Sequence, residues 1–179
     1  MTKLLFITML FLNTGQILAQ KIPQNGIYQT ATDFLAGKLT NGFFSSKKSK
    51  LNDNNYKSIR IEREGKRTIY ASSEIWGFRK NGIDYRVFEK EFYKIDEVGP
   101  VVICTVQDYL SAEQPLMFYY RFFSKDLNTP IIALTRRKLK HHFADDSTII
   151  NKINSFPKNR SVSTWSSECR CFPIIKSLQ

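Results

Sequence analysis

The chain has little with which to turn sharply or to staple itself. Its 179 residues include only 8 glycines, 6 prolines and 3 cysteines. Collagen-like, linker-dominated and low-complexity chains need far more glycine and proline, and a disulfide scaffold needs far more cysteine. Histidine is scarcer still: His141 and His142 are the only two, and they are adjacent. On a helix adjacent residues point about 100° apart, so regular geometry does not bring both to one metal. The four basic residues nearby also oppose a cation. There is no HExxH zinc helix, no GxxxxGK phosphate loop, no GxGxxG and no GxSxG nucleophile elbow. Without them the sequence offers no phosphate cradle, no zinc-activated water and no activated serine on a strained turn. No cofactor is expected.

Long apolar runs are also missing, apart from one at the start. Lys3 gives a short positive start, Leu4 to Leu12 an apolar run, and Leu18-Ala19 a small-residue cleavage point. This is the layout of a secretory signal peptide, expected over residues 1–19. Asn13, Gly15 and Gln16 interrupt it too early for a membrane span, and no cysteine follows it to carry a lipid. The mature chain is therefore expected in the periplasm, at the cell surface or outside the cell, with no transmembrane segment. About 160 residues remain, enough for one domain with a real core.

Charge of one sign predominates. Lys and Arg number 27 against 16 Asp and Glu, for a net charge of +11, one less without Lys3. An exported basic protein meets acidic glycans and anionic surfaces, and an envelope protein or an anionic glycan is the partner expected; nucleic acid is not. The alternative is that AT-rich coding bias inflates lysine. The three cysteines, Cys104, Cys169 and Cys171, allow one bridge and one free thiol in an oxidising space. One residue separates Cys169 from Cys171, which strains a direct bridge. A bridge from Cys104 to either closes a long loop and contributes about 3–5 kcal/mol. Alternatively Cys104, inside VVICTV, is a buried free thiol.

Local patterns give an α+β fold. Thr30 and Asp33 form a capping-box pattern for a short helix over 31–37, ended by Gly37. Residues 39–55, with SSKKSK and NDNN, read as a solvated loop. From Tyr56 the period becomes two, giving strands over 57–63 and 67–71. Asn81-Gly82 is the preferred two-residue hairpin turn, with Ile83, Tyr85 and Val87 on one face of the next strand. Strands follow over 91–97, 101–106 and 116–123, with a short one over 131–134. The run VVICTV is apolar on both faces apart from Thr105 and belongs in the centre of a sheet; LMFYYRFF is again apolar or aromatic on both faces, with Arg121 its one charge. Thr135, and then Asp145 or Asp146, cap two helices before Pro157. The expectation is an antiparallel β-meander of about six to seven strands, with a short N-terminal helix and C-terminal helices packed on it. One domain spans 20–156, and 157–179 is a Ser-rich, Cys-containing tail.

Chemistry-bearing clusters are sparse. Cys104 with His141 is a formal nucleophile–base pair, but burial in a central strand opposes thiolate formation. Ser45 to Lys48 matches SxxK in a loop without partner motifs, and Asn159-Arg160-Ser161 is an isolated glycosylation pattern. Glu74, Trp76 and Asp84 form a candidate acid–aromatic sugar subsite, for which a hydrolase needs carboxyl groups roughly 5 Å apart. The candidate ligand or polyanion surface is Trp76, Tyr85 and Arg86 on the sheet, with Arg136, Arg137 and Lys138 on the basic helix; no catalytic or metal residue is assigned.

The segments GIYQTATDFLAGK, IWGFRKNGIDYRV and YYRFFSKDLNTPI resemble a group of small exported proteins of Bacteroidota-type bacteria. These begin with a GIYxTxxDF-like stretch, followed by Trp-Gly, Tyr-rich strands and a late short helix. The resemblance spans residues 26–143, implies an exported bacterial protein and transfers no catalytic residue. The expected role is a non-enzymatic binding or structural protein of the envelope. The alternatives are a small envelope-polymer hydrolase and a periplasmic immunity or inhibitor protein.

Overall fold

The computed structural model describes residues 22–54, 57–109 and 117–178. The leader expected over 1–19 lies outside the described residues, as does most of the polar stretch before Pro115.

Among the described residues eleven strands form two antiparallel sheets, and four α-helices accompany them. The strands are β1 (Asn25–Tyr28), β2 (Thr40–Phe43), β3 (Ser49–Asn54), β4 (Ser58–Arg63), β5 (Lys66–Ala71), β6 (Gly77–Lys80), β7 (Ile83–Phe88), β8 (Glu91–Val98), β9 (Val102–Tyr109), β10 (Met117–Ser124) and β11 (Ile132–Ala133). The helices are α1 (Ala31–Leu35), α2 (Arg136–His142), α3 (Ser147–Ser155) and α4 (Pro173–Leu178). The expected α+β organisation is present, with more strands than expected. β6 to β10 are a meander, and the large sheet runs β11-β10-β9-β8-β7-β6-β1-β2. β3-β4-β5 form a separate small sheet.

Local chemistry explains the elements that alternate or cap. Thr30 Oγ1 accepts the Asp33 N–H at 3.1 Å while Asp33 accepts the Thr30 N–H at 3.1 Å, which starts α1. Thr135 and Asp146 accept from Lys138 and Ile149 in the same way at the starts of α2 and α3. Asn81 and Gly82 sit at φ 52° and 80°, as a primed hairpin turn requires. The β1 strand pairs with β6 through Tyr28↔Gly77. A Cβ on Gly77 would run into the Tyr85 carbonyl across the β6–β7 pair, so this close approach needs glycine.

Residues 39–55 are not one solvated loop. β2 pairs with β1, and β3 pairs with β4, placing Leu51 opposite Ile61. The small sheet then buries Leu51, Ile59 and Ile61 against Ile27, Phe43, Phe78 and Phe92 of the large sheet. Residues 157–179 are likewise no loose tail. Phe172, Ile174 and Ile175 are fully buried with Val101 just before β9, Ile103 and Phe123 of the sheet, and Leu139 and Ile153 of α2 and α3. Each such side chain contributes roughly 1.5–3 kcal/mol of burial. β9 is covered on both faces, as its apolar run predicts: Ile103 faces the helices, while Val102 and Cys104 face Ala31, Leu127 and Ile131.

The cysteine bridge also differs from the long staple. Cys169 and Cys171 are joined to each other, and Cys104 is the free, buried thiol. Burial pushes the Cys104 thiol up to about 12, against a smaller opposing pull from Arg86.

Candidate functional site

Antiparallel register lines up one row of side chains across four strands: Tyr85 beside Lys94, Lys94 beside Thr105, and Thr105 beside Arg121. These positions continue the helix-covered face of Ile103 beyond the edge of the helical cap. A bulge in β8 adds to the row. Ile95 pairs with Cys104 and Glu97 with Ile103, which leaves Asp96 as the extra residue. Without the bulge, Asp96 and Glu97 would point to opposite faces. With it, both act on the same face.

Asp96 is the hub of this face. Its side chain is only 10% exposed, and Lys94 Nζ approaches Oδ1 at 2.9 Å. Arg121 Nη1 lies 3.8 Å from Oδ2. Thr105 Oγ1 donates to Asp96 and accepts from Arg121, so the hydroxyl relays between the two charges. Two cations share one carboxylate, which leaves the cluster with a net positive charge. Glu97 accepts the Phe172 N–H at 3.3 Å and fixes the C-terminal segment above the cluster. Arg121 lies over the rings of Tyr119 and Phe172, at 5.3 and 5.4 Å.

A cavity of about 310 Å³ opens here, lined by Lys94, Asp96, Arg121, Trp165 and Phe172 among others. A second, of about 300 Å³, continues along the row toward the small sheet, with Lys94 lining both and Tyr85, Thr105, Gln107 and Asp53 lining the second. Together they make a cleft floored by the sheet. The exposed indole of Trp165, edge-on to Phe172 at 5.2 Å, stands at one end. At the other, Asp53 of β3 pairs with Lys80 of β6 and ties the two sheets. Tyr85 stacks on Phe78 at 4.9 Å; burial raises its hydroxyl above the usual tyrosine value, and Asp53 adds to the shift.

Of the surface expected from the sequence, Tyr85 lies in this cleft. Trp76 and Arg86 face the other way and are used internally. Trp76 stacks on Phe34 at 5.1 Å and donates its Nε1–H to the Leu127 carbonyl at 2.9 Å. Arg86 is only 3% exposed, donating to Ser124 Oγ at 3.0 Å and to the Thr129 carbonyl at 2.8 Å. Burial lowers its pKa, but the guanidinium remains a cation that anchors the 124–129 turn. Arg136 is also committed: it donates to the carbonyls of Ile153, Phe156 and Pro157 at 2.8–2.9 Å and so finishes α3. Arg137 and Lys138 are exposed on α2, away from these contacts.

The carboxylates of the other clusters expected from the sequence are engaged in structural contacts. Asp84 is clamped by Arg79 at 2.6 and 2.7 Å and accepts the Tyr28 hydroxyl at 2.8 Å. Glu74 accepts the Ala71 N–H at 2.8 Å and closes a single helical turn. Both carboxylates of the expected Glu74–Trp76–Asp84 sugar subsite are thus held in structural contacts, and Tyr28 touches Trp76 and Asp84 alike. His141 of the Cys104–His141 pair is exposed on α2, and its neighbour His142 packs edge-on to Phe123 at 5.6 Å on the helix side of the sheet, whereas Cys104 is buried on the other side. Among the described residues no group of three or more His, Cys, Asp or Glu is placed to hold a metal ion, and no helix is long and apolar enough to cross a membrane.

Lys94, Asp96, Thr105 and Trp165 are not evident as a group in the sequence. Arg121 is, as the single charge in an aromatic strand. No family model, curated protein or solved structure matches this chain.

Proposed function

We propose that this chain is an exported, non-enzymatic binding protein of the cell envelope, and that the cleft over the Tyr85–Lys94–Thr105–Arg121 row takes an anionic glycan. The observation that carries this reading is the Lys94–Asp96–Arg121 cluster. One carboxylate balances two cations at the floor of an open cleft, beside an exposed tryptophan. A sugar ring laid on Trp165 brings a carboxylate or sulfate substituent to the uncompensated charge, and the apolar ring face covers exposed indole surface. The carboxylates of the cleft, Asp53 and Asp96, are both held by cations, an arrangement that favours binding over acid–base turnover.

The test is a titration of the purified mature protein with polyuronate oligosaccharides, read by tryptophan fluorescence and calorimetry, with products analysed by chromatography. Binding that weakens steeply with salt, falls about tenfold in Arg121→Gln and leaves the oligosaccharide intact is expected. Release of new reducing ends would replace binding with hydrolysis, and salt-independent or absent binding would end the glycan reading.

A further inference from the structure

Trp165 borders two cavities. One lies over the Lys94–Asp96–Arg121 cluster. The other, of about 470 Å³, is lined by Arg160, Ser161, Thr164, Ser166, Ser167 and Glu168 among others. The cleft therefore continues as a run of three cavities, joined at Trp165 and at Lys94.

Charge is spread unevenly along this run. Two cations and one carboxylate, Lys94, Arg121 and Asp96, line the middle cavity. In the cavity of Ser161 and Thr164 the charged residues are Arg160 and Glu168, one of each sign. In the cavity toward the small sheet they are Lys94 and Asp53, and each is answered elsewhere: Lys94 by Asp96 and Asp53 by Lys80. Among the described lining residues the surplus positive charge is thus confined to the middle. A ligand carboxylate in either flanking cavity loses water without a surplus cation to meet it, and stands near Glu168 or Asp53. Neutral groups fit both flanks better. Four hydroxyls line the first flank, and the second offers the half-exposed faces of Tyr119 and Ile83 to the apolar side of a sugar ring.

Resting on the glycan reading of this cleft, we infer that the three cavities are subsites of one chain, with an acidic sugar in the middle and neutral sugars on both sides. The ligand class is then a glycan in which acidic residues alternate with neutral ones. A uniformly acidic polymer has the wrong pattern, although it carries more charge. Simple attraction to a basic protein predicts the reverse order, because it grows with the charge of the ligand.

The experiment titrates the purified mature protein, by calorimetry at physiological ionic strength, with two hexasaccharides. One alternates glucuronate with N-acetylglucosamine, and the other is galacturonate throughout. The alternating chain is expected to bind at least about fivefold more tightly, despite its lower charge. Equal or tighter binding of the galacturonate chain would overturn the inference and leave the glycan reading standing, whereas binding of neither would end both. A second measurement uses Glu168→Gln, a change at an exposed side chain that leaves Arg160 as a surplus cation. It is expected to raise affinity for the galacturonate chain about threefold and to leave the alternating chain unchanged. A galacturonate affinity equal to that of the wild type would remove this cavity from the run and overturn the three-subsite assignment.

Discussion

Asp96 and Glu97 are neighbours in a β-strand, yet both accept hydrogen bonds on the same face of the sheet. Asp96 accepts from Thr105 of the adjacent strand, and Glu97 from the backbone of Phe172. The bulge that permits this converts an ordinary strand into the meeting point of the cleft floor and the helical cap.

Removing the shared carboxylate should therefore affect binding and folding in opposite directions. Asp96→Asn leaves Lys94 and Arg121 without their counter-charge, so an anionic oligosaccharide is expected to bind about three- to tenfold more tightly at low salt. The gain should shrink as salt screens it. Urea unfolding of the same variant should show a loss of roughly 1–2 kcal/mol. Titrations at two ionic strengths check the first expectation, and the unfolding midpoint checks the second.

Arg86 predicts a purely structural phenotype. Arg86→Met keeps the bulk but strips Ser124 and the carbonyl of Thr129 of their donor. The expected loss is about 2–4 kcal/mol. Hydrogen exchange should quicken in residues 124–129, and oligosaccharide affinity should not change. A change in affinity at constant stability would place Arg86 in the binding surface after all.

Gly77 and Gly82 should respond differently to alanine. At Gly77 the added methyl meets the Tyr85 backbone, so Gly77→Ala is expected to cost at least about 2 kcal/mol by parting β6 from β7. At Gly82 the space is open and only φ 80° opposes the substitution, so Gly82→Ala should cost about 1 kcal/mol. Chemical denaturation of the two variants side by side tests the ordering.

Alkaline pH should loosen the fold through Cys104. Its thiol stays protonated up to about 12 when folded, against 9.0 when unfolded. Between these values the unfolded chain releases a proton that the folded chain keeps, so stability falls as pH rises. The slope approaches about 1.4 kcal/mol per pH unit. Below pH 9 this contribution is fully present. Tyr28, raised by burial and by its bond to Asp84, adds loss in the same direction from a higher starting pH. Unfolding midpoints from pH 8 to 11 should show the decline, and Cys104→Ala should flatten its first part.

Elements whose cause lies within a few residues were legible. The caps at Thr30, Thr135 and Asp146, the Asn81-Gly82 turn and the apolar runs of β9 and β10 all follow from short-range chemistry. β2 and β3 were not, because what holds them is distant: Leu51 is the one apolar residue in Ser49–Asn54, and it becomes a core residue only when β4 places Ile61 opposite. The C-terminal segment misleads for a similar reason. Its serines suggest a tail, but Phe172, Ile174 and Ile175 are committed by a sheet face more than forty residues away in sequence. The candidate site was half visible. Arg121 stands out in an aromatic strand, whereas Asp96 joins it only through a register shift that is set by pairing between two strands.

The two ends of the large sheet have a consequence for how the molecule behaves among its own kind. Its outermost strands, β2 and β11, have four and two residues, while the interior strands β8, β9 and β10 have eight each. A bare border of unsatisfied amides invites a second chain to add on, and the invitation grows with border length. Among the described residues the long ladders of the large sheet are shut inside and only stubs face outward, so a border long enough to take another chain is left to the six-residue edges β3 and β5 of the small sheet.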